Sequence, residues 1–140
     1  MAAHIETGTM APPLRYKSYT MNHLGVVAGM CDELGIAELI DRVIVQDRDK
    51  RTVSVGTGVK AMILNGLGFA NRALYLTPHF FEGKPLDRLL GPGIQAEHLN
   101  DDVLGRHLDE LYEYGVNKLY PMLAVQTVQR LGLVCRFGHL

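Results

Sequence analysis

The chain has 140 residues, of which 47% are hydrophobic and 21% are charged. This length fits one domain with one hydrophobic core, and this composition excludes a largely disordered chain. The formal net charge of −1 excludes a strongly basic protein, so any contact with nucleic acid has to come from a local patch. The sequence has neither a secretory signal pattern nor an apolar stretch near the ~18 residues of a membrane span, and we expect a cytoplasmic protein.

Helical patterns account for most of the chain. Residues 1–21 include Pro12-Pro13 and lack apolar periodicity, so we expect a flexible leader. Apolar residues at helical spacing over residues 22–132 predict an all-α fold, a single compact multi-helix domain. In chain order, the predicted helices run from the cap Asn22 to Gly35, from Ala37 to Ile44, over about sixteen residues after Ser54, from Thr77 to Glu82, from Lys84 to Leu90, from the cap Asn100 to Tyr114, and from the cap Asn117 to Gly132.

The helix after Ser54 is expected to be the most buried one. Ser54 is a typical N-cap residue, and apolar residues behind it fall on one side of the helix. The predicted buried positions are Val55, Val59, Met62, Ile63, Gly66, Leu67 and Ala70. Glycine costs about 1 kcal/mol against alanine inside a helix, so we expect its glycines to permit close approach of a neighbour. These glycines are Gly56, Gly58, Gly66 and Gly68.

The C-terminal third combines two helices with a change of pattern. In the two helices we expect burial of Leu104, Leu108, Leu111 and Tyr112, and of Leu119, Met122, Leu123, Val128 and Leu131. After Gly132, the segment 133–137 (LVCRF) predicts the start of a β-strand. A strand needs partners for its backbone groups, so residues 133–140 are expected to begin a further, missing domain.

Two short motifs imitate functional sites. Residues 56–61 (GTGVKA) look like a dinucleotide-binding turn, but no β/α alternation surrounds them. His98, Asp101 and Asp102 could hold a metal or act in acid–base chemistry, but acidic residues after Asn100 are also what a helix start favours. Cys31 and Cys135 have no cysteine nearby in a metal-type spacing, and we interpret them as free thiols. We therefore predict no catalytic residue, metal or small-molecule cofactor.

Local charge is more informative than net charge. Residues 97–113 contain six acids and one base, a net charge of −5, which disfavours contact with DNA. Residues 42–60 contain five bases and two acids, a net charge of +3, and residues 116–140 contain three bases and no acid. Either basic patch could simply be a solvated face. The polar connection 46–52 (QDRDKRT) between two helices is helix-turn-helix-like only loosely, because the usual turn has three or four residues. The predicted DNA-binding residues are Arg42, Arg48, Lys50, Arg51, Thr52, Ser54, Thr57 and Lys60.

Four separated motifs resemble a known family. They are residues 24–36 (LGVVAGMCDELGI), 59–69 (VKAMILNGLGF), 80–90 (FFEGKPLDRLL) and 98–109 (HLNDDVLGRHLD). In this order they resemble the amino-terminal domain of bacterial insertion-sequence DDE transposases, a domain usually labelled as being of unknown function. The resemblance extends from about residue 24 to residue 140 and leaves out the leader.

The resemblance implies a role in DNA transposition without catalysis. In the family, a segment similar to residues 136–140 (RFGHL) leads into an RNase H-like catalytic domain, whose first aspartate follows almost at once. Three carboxylates there hold two divalent metals for phosphodiester transfer, and none of the carboxylates in this chain, Asp101 and Asp102 included, matches them. The chain is therefore expected to be a fragment without enzymatic activity that binds duplex DNA at transposon ends. The alternative is an interaction or dimerisation domain that packs on the catalytic core.

Overall fold

The computed structural model describes residue 16 and residues 18–47, 50–67 and 73–134. Seven α-helices follow one another in chain order: α1 (His23–Leu34), α2 (Ile36–Val43), α3 (Val55–Gly66), α4 (Thr77–Phe81), α5 (Leu86–Leu89), α6 (Asp101–Tyr114) and α7 (Val116–Arg130). In the described ranges, the 3₁₀ turns Leu74–Leu76 and Ala96–Leu99 lie between them. The described ranges contain no β-strand, and the prediction of a compact all-α fold is confirmed.

Helix α3 lies at the centre of the domain. It packs against α2, α6, α1 and α4, and it takes part in two apolar clusters. Ala61 and Leu64 belong to the larger cluster, which also includes residues of α1, α4, α5 and α6. Val55 belongs to the smaller cluster, which includes residues of α2 and α7. The expectation of a central, buried helix after Ser54 is therefore confirmed.

The buried side of α3 differs from the predicted stripe. Ala61 and Leu64 are fully buried, whereas Val59, Met62 and Ile63 are only half-buried. Leu67 is 55% exposed because the helix ends at Gly66, earlier than predicted. Gly66 itself is exposed, and Ala70 lies outside the described residues. Because α3 is covered from several directions, its most apolar stripe is not its most buried one.

Two glycines of α3 allow the close helix contacts that were predicted. A Cβ atom at Gly56 would lie 2.2 Å from the Ala37 carbonyl oxygen of α2. A Cβ atom at Gly58 would lie 2.1 Å from Nδ1 of His107 on α6. The prediction is wrong for Gly66, where an added Cβ meets nothing within 4 Å, and Gly68 lies outside the described residues.

Two of the four predicted asparagine and serine caps are present. Thr57 N donates to Ser54 Oγ at 3.1 Å, and Val103 N donates to Asn100 Oδ1 at 3.0 Å. Asn22 precedes α1 but makes no capping hydrogen bond with its side chain, because it adopts φ 49° and ψ −140°. Asn117 is inside α7, which begins one residue earlier at Val116.

Helices α6 and α7 expose several side chains that were expected in the core. On α6, Leu104 is buried, but Leu108 is 45% exposed and Tyr112 is 83% exposed. On α7, Leu119 is buried, whereas Met122 is 39% exposed and Leu131, directly after the helix, is 40% exposed. Leu111 and Leu123, also predicted, are partly buried against the smaller cluster, so the packed faces are narrower than predicted.

The segments at both ends of the described chain have no regular structure. Tyr16 and residues 18–21 are exposed and precede α1. Leu133 and Val134 are exposed and belong to no helix or strand. Most of the predicted strand start, residues 135–137, lies outside the described residues, as does most of the predicted leader. None of the described helices is both long and apolar enough to cross a membrane.

Candidate nucleic-acid interface

The polar connection between α2 and α3 lies beside the first half of α6, and the two enclose a groove of about 620 Å³. The connection contributes one wall, and α6 with the turn before it contributes the other. The lining residues are Asp47, Lys50, Arg51, Thr52, Val53, Glu97, His98, Asn100, Val103, Arg106 and His107. Three of the eight predicted DNA-binding residues, Lys50, Arg51 and Thr52, are therefore brought together here.

Arg51 links the connection to α6. Its guanidinium donates two hydrogen bonds to the Glu110 carboxylate, at 3.0 and 2.7 Å. The hydrogen bonds and the negative charge of Glu110 raise the pKa of Arg51. Both side chains are partly buried, with 31% and 24% exposed. A bidentate pair of this kind fixes geometry as well as charge. Arg51 thus holds one wall of the groove, and its charge is largely compensated within the domain.

The start of α3 does not present free backbone donors. Val55 N donates to Gln46 Oε1 at 3.0 Å, and Gly56 N donates to Asp41 Oδ1 at 2.6 Å. Thr57 N donates to the Ser54 hydroxyl, and Gly58 N donates to the Ser54 carbonyl oxygen. The amides from Val55 to Gly58 are therefore not free to bind a phosphate, because residues of α2 and of the connection already accept their hydrogen bonds.

Ser54 and Thr57 are occupied by the same capping arrangement. Ser54 Oγ accepts from Thr57 N and lies 2.9 Å from Thr57 Oγ1, to which it donates. Both residues are half-buried. Their side chains stabilise the helix start, and a contact with DNA would have to compete with these bonds.

Lys60 does not belong to the surface. Its side chain is 6% exposed, and its ammonium nitrogen lies 2.6 Å from Asp32 Oδ1 on α1. The structure thus places Lys60 in an ion pair between α1 and α3 and not at the groove, and its assignment as a DNA contact stays a prediction. Asp32 lies 28 positions earlier in the chain, so the pairing could not be read from local sequence.

The remaining predicted residues differ in their surroundings. Lys50 forms a surface ion pair with Asp47 at 2.8 Å and keeps 83% of its side chain exposed. Thr52 is exposed on the groove wall. Arg42 is exposed but faces α7, where its guanidinium donates to Gln126 Oε1 at 3.1 Å. Arg48 lies outside the described residues. Among the described members of the predicted set, Lys50 and Thr52 are exposed at the groove and Arg42 is exposed elsewhere.

Sequence reasoning missed His107. It lies under the groove, 2% exposed, and its Nδ1 has no hydrogen-bond partner within the part of the chain that the structure describes. Burial lowers the pKa of His107, which favours the neutral imidazole. One signal was available, since His107 follows Leu104 by three residues and shares the buried face of α6.

Two further groove residues, His98 and Arg106, were also missed as contacts. His98 lies in the turn before α6, where its Nδ1 accepts a hydrogen bond from Gln95 N at 3.2 Å.

Asp101 and Asp102 are exposed in the first turn of α6 and do not line the groove. Within the described ranges, no three His, Cys, Asp or Glu residues are grouped so that they could hold a metal ion.

These features define an all-helical domain with a groove lined by residues of both charges. The chain belongs to the family described as Domain of unknown function (DUF4277), which matches residues 16–125. This match includes α1 to α6 and the first two thirds of α7. Neither the curated proteins nor the solved structures give a match.

Proposed function

We propose that this chain is the non-catalytic amino-terminal domain of an insertion-sequence DDE transposase, and that it binds duplex DNA at the transposon ends during DNA transposition. The observation that carries the first part is the arrangement of the four resemblance motifs. Motifs 24–36, 59–69, 80–90 and 98–109 each contribute buried residues to the larger apolar cluster, among them Leu24, Leu64, Phe81 and Leu104. Motifs that are separated in sequence but form one core are expected to be shared by proteins that have this domain.

DNA binding is supported by the exposed cation at the groove. The Lys50 ammonium is paired with Asp47 at the surface, where an ion pair contributes little and can be exchanged for a phosphate. Thr52, exposed beside it, supplies a hydroxyl donor. Phosphate contacts of this kind give affinity and positioning rather than sequence recognition. We assign no catalytic residue, cofactor or metal to this chain. The divalent metals would bind in the catalytic domain of the transposase. We propose that the protein is cytoplasmic.

Salt-dependent titration tests this function. A labelled transposon-end duplex and a scrambled duplex are titrated at several salt concentrations with the wild-type chain and with Lys50→Gln. We expect salt-sensitive binding to both duplexes and a salt slope about one unit smaller for the variant. Lys118→Gln, an exposed lysine on α7, removes the same charge away from the groove and is the control. Absence of salt-sensitive binding by the wild type would refute the DNA-binding function.

A second candidate function is that of an interaction or dimerisation domain, and the exposed face of α7 favours it. One face of α7, with Leu119 and Leu123, packs on the rest of the domain. The neighbouring stripe has its residues three or four positions apart and is mostly apolar and largely exposed. It consists of Val116 (58% exposed), Tyr120 (73%), Ala124, Val128 and Leu131 (40%). Exposed apolar side chains grouped on one helix face are typical of protein contacts, and we assign a second copy of the chain to this face.

The oligomeric state tests this second candidate. Sedimentation equilibrium of the wild-type chain should show a dimer that Tyr120→Lys weakens. Tyr75→Lys is the matched control, since Tyr75 is a comparably exposed tyrosine (64%) that lies outside α7. A wild-type chain that stays monomeric at all concentrations would exclude the second copy, and the catalytic core of the transposase would then be the partner to test.

A further inference from the structure

We infer that the groove between the α2–α3 connection and α6 receives the phosphodiester backbone of the bound DNA, with Lys50 on one wall and Arg106 on the other as its cations. This inference rests on the proposed DNA-binding function and specifies where the DNA lies. It adds Arg106, a residue of the segment whose net charge disfavours contact with DNA.

The groove lining is less acidic than α6 as a whole. Of the six acids between residues 97 and 113, Glu97 alone lines the groove. Glu110 is occupied by Arg51, and the remaining four are not among the lining residues. The one base of the same segment, Arg106, does line it. The described lining residues include three cationic side chains and two carboxylates, and one of the cations, Arg51, is already paired with Glu110. Arg106 therefore gives this acidic segment its one cation at the groove.

The two proposed cations are available to a ligand. Arg106 is exposed, and Lys50 is paired only at the surface with Asp47. Their opposite walls are held at a fixed separation by the bidentate bond between Arg51 and Glu110. A preformed gap between two cations suits a polyanionic chain, because little ordering is needed when the ligand binds. The groove, at about 620 Å³, is of small-molecule size, so it accommodates backbone units and not the width of a duplex.

Polar neutral groups complete the lining. Thr52 on the connection and Asn100 before α6 both line the groove, and the Asn100 amide nitrogen donates to the Glu97 carbonyl oxygen at 3.2 Å. The base of the groove includes His107, whose imidazole is almost entirely buried and has an unpartnered Nδ1 within the described residues. A neutral imidazole at this point adds no charge of its own, so the cations on the walls determine the anion preference.

The test compares two arginines. Arg106→Gln is expected to weaken binding to transposon-end and scrambled duplexes alike and to reduce the salt slope by about one unit. Arg88→Gln is the matched control, because Arg88 is exposed on α5, carries the same charge and does not line the groove. Arg106→Lys, which keeps the charge, should retain most of the slope. Circular dichroism and urea unfolding of each variant establish that the fold is intact.

The outcomes separate this inference from the function on which it rests. A loss of slope in Arg106→Gln, but not in Arg88→Gln or Arg106→Lys, supports the groove as the backbone site. If the wild type binds with a clear salt slope and the two glutamine variants behave alike, the groove assignment is overturned while DNA binding stands. If the wild type shows no salt-dependent binding, both are overturned.

Discussion

At the scale of single residues, the contact between α2 and α3 depends on the absence of a side chain at Gly56. An added Cβ atom would lie 2.2 Å from the backbone oxygen of Ala37, and a backbone atom cannot turn aside as a side chain can. We expect Gly56→Ala to destabilise the domain by about 1 to 3 kcal/mol or more, as overpacking does. Urea unfolding of the variant measures this difference directly.

Gly105 provides the control for this prediction. It lies inside α6, where an added Cβ meets nothing within 4 Å. Alanine has the higher helix propensity, so Gly105→Ala should stabilise the domain by roughly 0.5 to 1 kcal/mol. Equal effects of the two substitutions would mean that α2 and α3 are not in close contact at Gly56.

His107 makes stability depend on pH. Burial lowers its pKa in the folded state below the ordinary value of 6.5, an effect opposed by Glu110 and Asp41 and reinforced by Arg51 and Arg106. The unfolded chain therefore binds more protons as the pH falls through about 6.5, and the folded state loses stability below that pH until its own, lower pKa is reached. Above about pH 6.5 this contribution is fully present.

Urea unfolding at pH 7.5 and at pH 5.5 measures how the free energy of unfolding changes with pH. The wild type should be less stable at pH 5.5, and His107→Gln, which cannot titrate, should lose less stability between the two values. A variant whose loss equals that of the wild type would assign the pH dependence to other groups.

The candidate site illustrates what sequence can predict for individual residues. The position of Lys50 and Thr52 in a polar connection was enough to place them at the surface. Lys60 and Arg51 form ion pairs with Asp32 and Glu110, which lie 28 and 59 positions away in the chain. A pairing over such a separation leaves no local pattern. The position of Arg106 at the groove could not be predicted either, since the net charge of a segment does not show which side of the helix each charge faces.

At the scale of elements, α3 offers a direct test of which residues form its core face. Leu64 is fully buried in the larger cluster, whereas Leu67 is 55% exposed after the end of the helix. Leu64→Ala should cost about 2 to 5 kcal/mol, and Leu67→Ala should change stability by about 0.5 kcal/mol or less. Denaturant unfolding of both variants distinguishes this face from the one that includes Leu67. A larger loss for Leu67→Ala would favour the stripe predicted from periodicity.

Helix existence was predictable because apolar spacing and capping residues agree along most of the chain. Helix faces were less predictable, since an apolar stripe identifies the core only when the opposite side is exposed to water. Helix α3 is covered from several directions, and α7 has apolar residues on two neighbouring faces. The predicted start of α7 was wrong because no spacer separates it from α6. Gly115, with φ 97°, ends α6, and α7 starts at the next residue.

At the scale of the whole molecule, α3 joins two apolar clusters into one unit. Leu104 belongs to the larger cluster and Ile40 to the smaller one, and α3 contributes residues to both. We therefore expect a single cooperative unfolding transition. Leu104→Ala and Ile40→Ala should each lower its midpoint by an amount equivalent to about 2 to 5 kcal/mol, with the denaturant dependence unchanged.

Far-UV circular dichroism and tyrosine fluorescence, followed in parallel, check this prediction. The two signals should trace the same curve for the wild type and both variants. A second transition in Ile40→Ala alone would indicate that the cluster of α2 and α7 unfolds independently of the rest.

The capped start of α3 has a consequence for amide hydrogen exchange. First-turn amides of a helix usually exchange quickly with solvent because nothing inside the protein accepts their hydrogen bonds. Those of Val55 and Gly56 are bound by Gln46 and Asp41, so their deuterium uptake should be as slow as that of the helix interior. Val116, which begins α7 without a side-chain cap, should exchange much faster. Asp41→Ala should restore rapid uptake at Gly56, and NMR or mass spectrometry would record this local opening directly.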